Sequence, residues 1–438
     1  MGTPDIINTY LLAAVLLFIA LFCFWKENIN KSGPQLFHFI FFVTVYYLFF
    51  YGIFPIWTVK YQQHPSFPTW IGATTGYFVA CFLSMQILGY LLVTKFANLL
   101  NFNALENIQE GLKKSQEVKN NSPSGFILLA LIAVISHFSF FIIPELQNLP
   151  SINQLQQPLW FFGFSILTWV SFSKRFSWRQ LFLLIIVFIF YLIECSIQGL
   201  LSPIFVTVFI FISCSFYWRR YLYLIISVPI LLMLFSSYGY VKHLSDDLLG
   251  NGETHIFEFQ PELSRDALFA SVNAATRRSS HSFMLEQVTD TTPSDIPFAE
   301  YSPFADAARN HIPRMVWPNK PEERKGNWFG IRYGFIDSGD KITSWNMPWI
   351  SEFYIVYGYI KACFIAFFIG ALLALITILL SSLPHKAVGF GLFSASMLPL
   401  FNQESNFSLM TGNFLTVTLF LGVGSYFFLY FYNRFFAR

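Results

Sequence analysis

The residues of this chain best suited to chemistry lie in one stretch, His311-Ile-Pro-Arg-Met-Val-Trp-Pro-Asn-Lys-Pro321. Three prolines restrict its backbone, so Arg314 and Lys320 are expected to be presented from a rigid extended segment. A guanidinium offers donors in a planar fork that matches phosphate oxygens two at a time, which makes a lipid diphosphate a natural ligand. The same cations also suit anionic lipid headgroups, and residue chemistry alone leaves both readings open. His311, at the head of the stretch, joins them as a candidate binding residue.

Upstream, Arg277, Arg278, His281 and Glu286 fall within three turns of an expected helix. Spacings of three and four put Arg278 on one face with His281 and Ser282. That face is either a substrate-binding surface or a solvated one with ordinary ion pairs. Three carboxylates, Glu194, Glu352 and Glu404, lie at or in apolar segments. Ionisable groups there are costly and usually face a bundle interior or a cavity, so one of them can act as a general base or orient a sugar hydroxyl; snorkelling to the interface is the plainer alternative. No metal or other cofactor is expected, since His281, His311, Asp306 and Glu300 show no ligand spacing. Nor does the chain contain a phosphate-cradling glycine loop or a GxSxG elbow.

These residues sit in a chain of 438 residues that is 55% hydrophobic, 20% aromatic and only 12% charged. That charge fraction is about half the norm for a soluble domain. Mean hydropathy is +0.52, and apolar stretches recur along most of the length, so the expected class is an all-α polytopic membrane protein. The net charge of +3 is spread over connecting segments, which excludes a nucleic-acid face. All five cysteines fall in apolar segments without CxxC spacing and are expected to be buried small hydrophobes.

Eleven stretches approach the length needed to cross a bilayer: roughly 6–25, 36–57, 70–94, 125–144, 158–173, 180–198, 203–218, 221–240, 350–380, 387–403 and 413–433. The first has no basic leader and is followed by Lys26, so it is expected to remain as a span. Alternate connections are basic, at Lys26 and Lys31, at Lys95, Lys113, Lys114 and Lys119, at Lys174, Arg175 and Arg179, at Arg219 and Arg220, and at Lys386, as is the tail with Arg434 and Arg438. The basic connections are expected in the cytoplasm, with the amino terminus outside and the carboxyl terminus inside.

This alternation divides the chain into spans 1–8 over residues 1–240, an extracytoplasmic loop over 241–346, and spans 9–11 over 347–438. The loop is basic in places, but long loops translocate regardless of charge. About a quarter of the length carries half of the charged residues there, together with Trp317, Trp328, Tyr333 and Trp345. Linkers are poor in aromatics, so this segment is expected to fold. One helix is predicted from an N-cap at Ser264 to about Val288. A second is predicted from Ser302, with Pro303 at its first position, to a point before Pro313.

The run Ile312-Pro-Arg-Met-Val-Trp-Pro-Asn-Lys-Pro321, then Gly330-Ile-Arg-Tyr-Gly334, then Thr343-Ser-Trp-Asn-Met-Pro-Trp-Ile-Ser-Glu352-Phe-Tyr354 resembles the Wzy-type O-antigen polymerases, the oligosaccharide repeat-unit polymerases of bacterial envelopes. Its sequence-specific part covers about residues 270–360. The resemblance implies a GT-C-like glycosyltransferase in the bacterial cytoplasmic membrane that joins undecaprenyl-diphosphate-linked oligosaccharide units at the outer face. A chain-length-regulating co-polymerase would be a further partner. Carried over residue by residue, the family's arginines fall on Arg278, or its neighbour Arg277, and on Arg314. Its Ser-x-x-x-Pro-x-x-x-Glu-Phe-Tyr pattern falls on Ser344, Pro348, Glu352 and Tyr354. Arg278, Arg314 and Glu352 are thus the implied catalytic set, with Arg277, His281, His311, Lys320, Arg332, Tyr333, Ser344 and Tyr354 as substrate-binding residues. Where the family places a glycine ahead of an aromatic, this chain has Ala299-Glu300-Tyr301, so the backbone is expected to differ there.

Two other classes compete: an O-antigen ligase, which passes finished polymer to a lipid A core, and a transporter for the lipid-linked sugar. The proline-stiffened Arg/Lys run argues for the polymerase over the ligase. No internal repeat is evident and the acids cluster outward, which argues against the transporter.

Overall fold

The computed structural model describes residues 3–29, 39–61, 71–99, 123–143, 145, 155–173, 178–197, 202–218, 276, 281–312, 316–317, 319–321, 325–341, 343–383, 385–396, 400, 403–412 and 414–436. Among these the chain is all helical. Runs of Leu, Ile and Phe leave backbone N–H and C=O groups no polar surroundings, and a helix satisfies them within the segment.

The helices are α1 Thr3–Ile29, α2 Phe39–Tyr47, a π-helical turn Leu48–Ile53, α3 Phe54–Tyr61, α4 Ala73–Leu99, α5 Pro123–Ile142, α6 Gln156–Ser173, α7 Trp178–Ile197 and α8 Ser202–Tyr217. There follow three short helices, α9 Ser282–Thr291, α10 Pro303–Asn310 and α11 Gly326–Arg332, then α12 Trp349–Ser381, α13 Lys386–Ser396, α14 Phe407–Thr411 and α15 Phe414–Phe435. Helices therefore form on the expected apolar stretches other than 221–240, which lies outside the described residues. Four are long and apolar enough to cross a membrane: Ile40–Thr58, Ala73–Ala97, Trp349–Ser381 and Phe407–Phe435. This is consistent with a membrane protein. Shorter apolar helices accompany them, Ile7–Cys23, Ser124–Phe140, Phe182–Cys195 and Val206–Ser215.

Two groups of packed helices carry the molecule. In one, α6 is central, against α5, α7, α8 and α13. Trp160 of α6 stacks on Tyr191 of α7 at 3.8 Å between ring centroids and donates its indole N–H to Thr207 of α8 at 2.9 Å. In the other, α4 packs along α12, with α1 and the π-helical turn beside them. Gly89 and Gly370 let those two backbones touch: a Cβ on Gly89 would collide with the Phe367 carbonyl, and one on Gly370 with the Gln86 carbonyl. Small residues at such crossings are the usual means of close helix packing in a lipid environment. On its other face, α12 exposes Phe364, Phe368, Leu372, Leu375 and Leu379 at spacings of three and four, an apolar stripe suited to lipid.

The loop helices match the sequence in part. Ser302 caps α10, its hydroxyl accepting from the Ala305 N–H at 3.2 Å, and Pro303 holds the first position. The helix ends at Asn310, ahead of Pro313 as predicted. The helix predicted from Ser264 to Val288 is not continuous: Thr276 is helical, but His281 is the N-cap ahead of α9, so it does not share a helical face with Arg278 as expected, and the predicted cap at Ser264 lies outside the described residues. The π-helical turn and α11 were not anticipated.

The 33-residue α12 is interrupted at Gly358, whose φ of 74° and ψ of 175° are not helical. The break separates an arm, Trp349–Tyr357, from a remainder that by itself reaches roughly 34 Å at 1.5 Å per residue, enough to span the hydrocarbon. Ile355, in the arm, gives its carbonyl to the Ala299 N–H at 2.9 Å instead. The arm thus belongs to the loop as much as to the bundle.

Candidate functional site

The Trp349–Tyr357 arm carries Glu352, fully buried. The arm is anchored at its start by a bond from the Trp349 N–H to the Gln403 carbonyl at 3.1 Å. Glu352 Oε2 accepts from the Phe407 N–H at 2.5 Å, and Oε1 accepts from the Tyr301 hydroxyl at 3.1 Å. Two donors thus hold a carboxylate that water does not reach, as a buried charge requires. Phe304 of α10 fixes the same arm from above, its ring stacked on Phe353 at 5.8 Å and edge-on to Phe407 at 5.2 Å.

Tyr301 connects Glu352 to a groove of about 560 Å³, lined also by Pro297, Phe298, Glu300, Lys325, Trp328 and Arg332. The Lys325 ammonium lies 3.6 Å from the centre of the Tyr301 ring and 2.6 Å from Asp306 Oδ2. Arg309 pairs with the same aspartate. Trp328 and Arg332 are one turn apart on α11, which brings the guanidinium to 5.1 Å from the Trp328 ring and within hydrogen-bonding reach of the Pro297 carbonyl. Burial first, then the Glu352 charge, raises the Tyr301 phenol far above its ordinary pKa. It therefore stays a neutral donor at any physiological pH.

Beneath the groove Met284, Val288, Phe329, Tyr333, Met347 and Ile355 form a small apolar core. Thr292 ties it together. Its hydroxyl lies 2.7 Å from the Tyr333 hydroxyl, and its carbonyl accepts from Tyr354 at 2.9 Å. Tyr333 and Tyr354 are thus brought to one point behind the groove.

His281 is placed elsewhere, against the π-helical turn. Its backbone N–H donates to the Phe50 carbonyl at 3.1 Å, and its Nδ1 is 3.1 Å from the Tyr46 hydroxyl. Ser282 donates to the Tyr51 carbonyl at 3.1 Å. π-helical turns recur at functional sites, and here the turn supplies the socket for α9.

Of the other expected residues, Arg332 lines the groove and Ser344 is exposed just ahead of the arm. His311 Nδ1 donates to the Gly412 carbonyl at 2.5 Å. Lys320 departs from the outward presentation expected of it: it is buried, and its ammonium donates to the Asn310 and Ile312 carbonyls at 3.1 and 3.3 Å. The carbonyls ending α10 lack intrahelical partners, and a lysine satisfies them. Arg277, Arg278 and Arg314 lie outside the described residues. Glu404 accepts from Asn346. Glu194 pairs with His137 in the α5–α7 group.

Sequence reasoning assigned no site role to Lys325, His137 or the tyrosines of α2 and the π-helical turn; Asp306 was weighed only as a metal ligand, and Tyr301 was noted only as a departure from the family pattern. A histidine inside the apolar stretch 125–144 was a signal for the His137 pair. The departure at Ala299-Glu300-Tyr301 was one for Tyr301.

A family model matches residues 99–392. No curated protein and no solved structure matches the chain.

Proposed function

The chain belongs to the DUF8712 family, a domain of unknown function, and from its own residues we propose that it polymerises undecaprenyl-diphosphate-linked oligosaccharide units at the outer face of a bacterial cytoplasmic membrane. In this reading it is a GT-C-like glycosyltransferase of the Wzy type with eleven spans, its loop 241–346 outside, its amino terminus outside and its carboxyl terminus in the cytoplasm. The observation that carries the reading is the buried Glu352 carboxylate joined through Tyr301 to a groove bearing Lys325 and Arg332.

The chemistry needs a proton acceptor and positive charge. The acceptor hydroxyl oxygen bonds to the anomeric carbon as the bond from that carbon to the diphosphate oxygen breaks, and the electron pair leaves with the lipid diphosphate. The hydroxyl proton passes to Tyr301 while Tyr301 gives its own to Glu352, so that no free alkoxide forms. Cations aimed at the diphosphate stabilise its developing charge. Lys325 and Arg332 supply part of it, and Arg278 and Arg314, carried over from the resemblance, clamp the phosphates.

The test is substitution of Arg314, Arg278 and Glu352 by Ala in the producing strain, with surface polysaccharide resolved by length on a gel. Collapse to single repeats is expected. A full ladder from Arg314→Ala would remove the diphosphate clamp, and absence of all capping, with polymer intact on its carrier, would point to a ligase.

One observation favours a transporter as the second reading. His137 and Glu194 form a buried ionisable pair within apolar helices, and such pairs serve proton relays in transporters. Purified protein in liposomes separates the two, since a transporter moves lipid-linked sugar without lengthening it.

A further inference from the structure

The groove that leads to Tyr301 holds two side chains whose chemistry a diphosphate does not use. Trp328 is 38% exposed, a large fraction for an indole, and it lines the groove together with the exposed Glu300. The Arg332 guanidinium lies 5.1 Å from the Trp328 ring, and the Tyr301 ring meets it perpendicularly at 5.8 Å. These contacts fix the indole in place. Neither its N–H nor the Glu300 carboxylate bonds to a described residue.

The walls that carry the two residues are held by their own hydrogen bonds, so the space between them is preformed. Segment 297–301 is pinned twice: the Ala299 N–H donates to the Ile355 carbonyl at 2.9 Å, and the Pro297 carbonyl accepts from Arg332. The helix α11 is pinned at Asn327, beside Trp328, whose amide donates to the Asp340 and Thr343 carbonyls at 2.8 and 2.7 Å. The groove of about 560 Å³ falls within the roughly 300–1,000 Å³ usual for small-molecule sites. A sugar ring has room there, and a preformed site loses little freedom in taking it up.

The residue types select the ligand. An exposed indole offers a flat apolar surface that suits the C–H face of a pyranose, and its N–H is a donor for a sugar oxygen. A carboxylate has two oxygens and accepts from two neighbouring hydroxyls at once. A bare phosphate would gain nothing from the indole. Glu300 also disfavours an acidic sugar, because a second carboxylate beside it adds like-charge repulsion. The ligand that uses both residues is a neutral, polyhydroxylated ring.

We propose that Trp328 and Glu300 form a subsite for a neutral pyranose, its ring packed on the exposed part of the indole and two of its hydroxyls on the carboxylate, and that this pair selects which sugar presents a hydroxyl to Tyr301. The subsite rests on the polymerase reading for the oligosaccharide and adds to it the residues that choose the acceptor.

The test uses full-length protein in lipid nanodiscs and saturation-transfer NMR with free glucose, galactose and N-acetylglucosamine up to about 50 mM, with glucuronate as the acidic contrast and empty nanodiscs as the blank. At least one neutral sugar is expected to bind, and glucuronate to bind more weakly than that sugar. Trp328→Ala should weaken binding about two- to tenfold, the worth of an aromatic contact, and Trp328→Tyr should recover part of it. Glu300→Ala should weaken binding about tenfold or more, the worth of hydrogen bonds to a charged group, and should narrow the gap to glucuronate. Because Glu300 is exposed and bonds to no described residue, that variant is expected to melt with the wild type, which keeps the test decisive even if Trp328→Ala loosens α11. No neutral sugar above the blank, binding unchanged in Glu300→Ala, or glucuronate bound as tightly as the neutral sugars overturns the proposal. The two readings fail separately. Sugar binding that depends on Trp328 and Glu300, in a protein that moves lipid-linked sugar across liposomes without lengthening it, refutes the polymerase and leaves the subsite standing. A ladder lost in Arg314→Ala, with sugar binding indifferent to both alanine variants, refutes the subsite alone.

Discussion

His137 Nε2 lies 2.6 Å from Glu194 Oε2, with the histidine unexposed and the glutamate nearly so. The other ring nitrogen, Nδ1, is 2.7 Å from the Gln156 carbonyl, which can only accept, so Nδ1 carries a proton. A further proton must then sit between Nε2 and Oε2, on one or the other, and Gln156 donates its amide to Glu194 Oε1 at 3.2 Å. The pair joins α5, α6 and α7. Glu194→Gln can keep a bond to Nε2 and should cost at most about 1 kcal/mol. Glu194→Ala strands the histidine and should cost about 3 kcal/mol. Thermal unfolding in detergent micelles measures both; equal melting temperatures would show that the pair does not hold these helices together.

Tyr301→Phe removes one of the two donors on Glu352. Loss of a hydrogen bond to a charged group is expected to cost about 1.5–3 kcal/mol. If Tyr301 relays the proton, polymer yield should fall by about 10²-fold or more, far beyond the effect of the stability loss. Yield per folded protein, read against Tyr301→Ala, distinguishes the relay from simple packing.

His281 introduces a pH dependence of stability. Burial lowers its pKa to about 3 from the ordinary value of 6.5. The groups facing it are Tyr46, Tyr51 and, at longer range, Glu404 acting on those tyrosines. Because the folded pKa is the lower one, the unfolded chain binds the extra proton between the two values. Stability is therefore full above about pH 6.5 and falls as pH drops toward 3, with a slope of at most about 1.4 kcal/mol per pH unit. Melting curves of wild type and His281→Gln across pH 4–7.5 should diverge at the acid end; parallel curves would be inconsistent with a neutral buried ring.

At Gly358 the φ of 74° and ψ of 175° belong to a region only glycine adopts without strain. A Cβ there would also press on the Phe298 ring at 3.3 Å. Gly358→Ala and Gly358→Asn should each cost about 1–3 kcal/mol, and both should displace the Glu352 arm. If Asn were tolerated, the backbone would instead be left-handed helical, where Asn is at home.

Gly370→Leu tests the crossing of α4 and α12. The Gln86 carbonyl occupies the space a side chain would need, so the variant should fail to reach wild-type levels in the membrane while Leu372→Ala, on the exposed stripe of α12, should not. Equal abundance of the two would contradict the close approach.

How much could be read in advance follows from the range of the forces involved. The apolar stretches, the cap at Ser302 with Pro303, and the burial of four of the five cysteines were legible because they depend on local composition and on backbone groups within one turn. The stretch 350–380, at 31 residues, was also longer than the roughly twenty a straight span needs, though the sequence did not show why.

Tertiary structure alone decided which distant residues met. Tyr301 reaches Glu352 across 51 positions and Tyr46 reaches His281 across 235, and no local pattern encodes such a contact. Lys320 was a cation of the right type in a stiff segment, yet the carbonyls ending α10 claimed it. Glu352 was chosen from sequence as an acid at the membrane edge. The break at Gly358 and the Phe407 N–H turned it into a buried, doubly bonded carboxylate. Desolvation and hydrogen-bond geometry set what a charged group does, and both are properties of the packed chain.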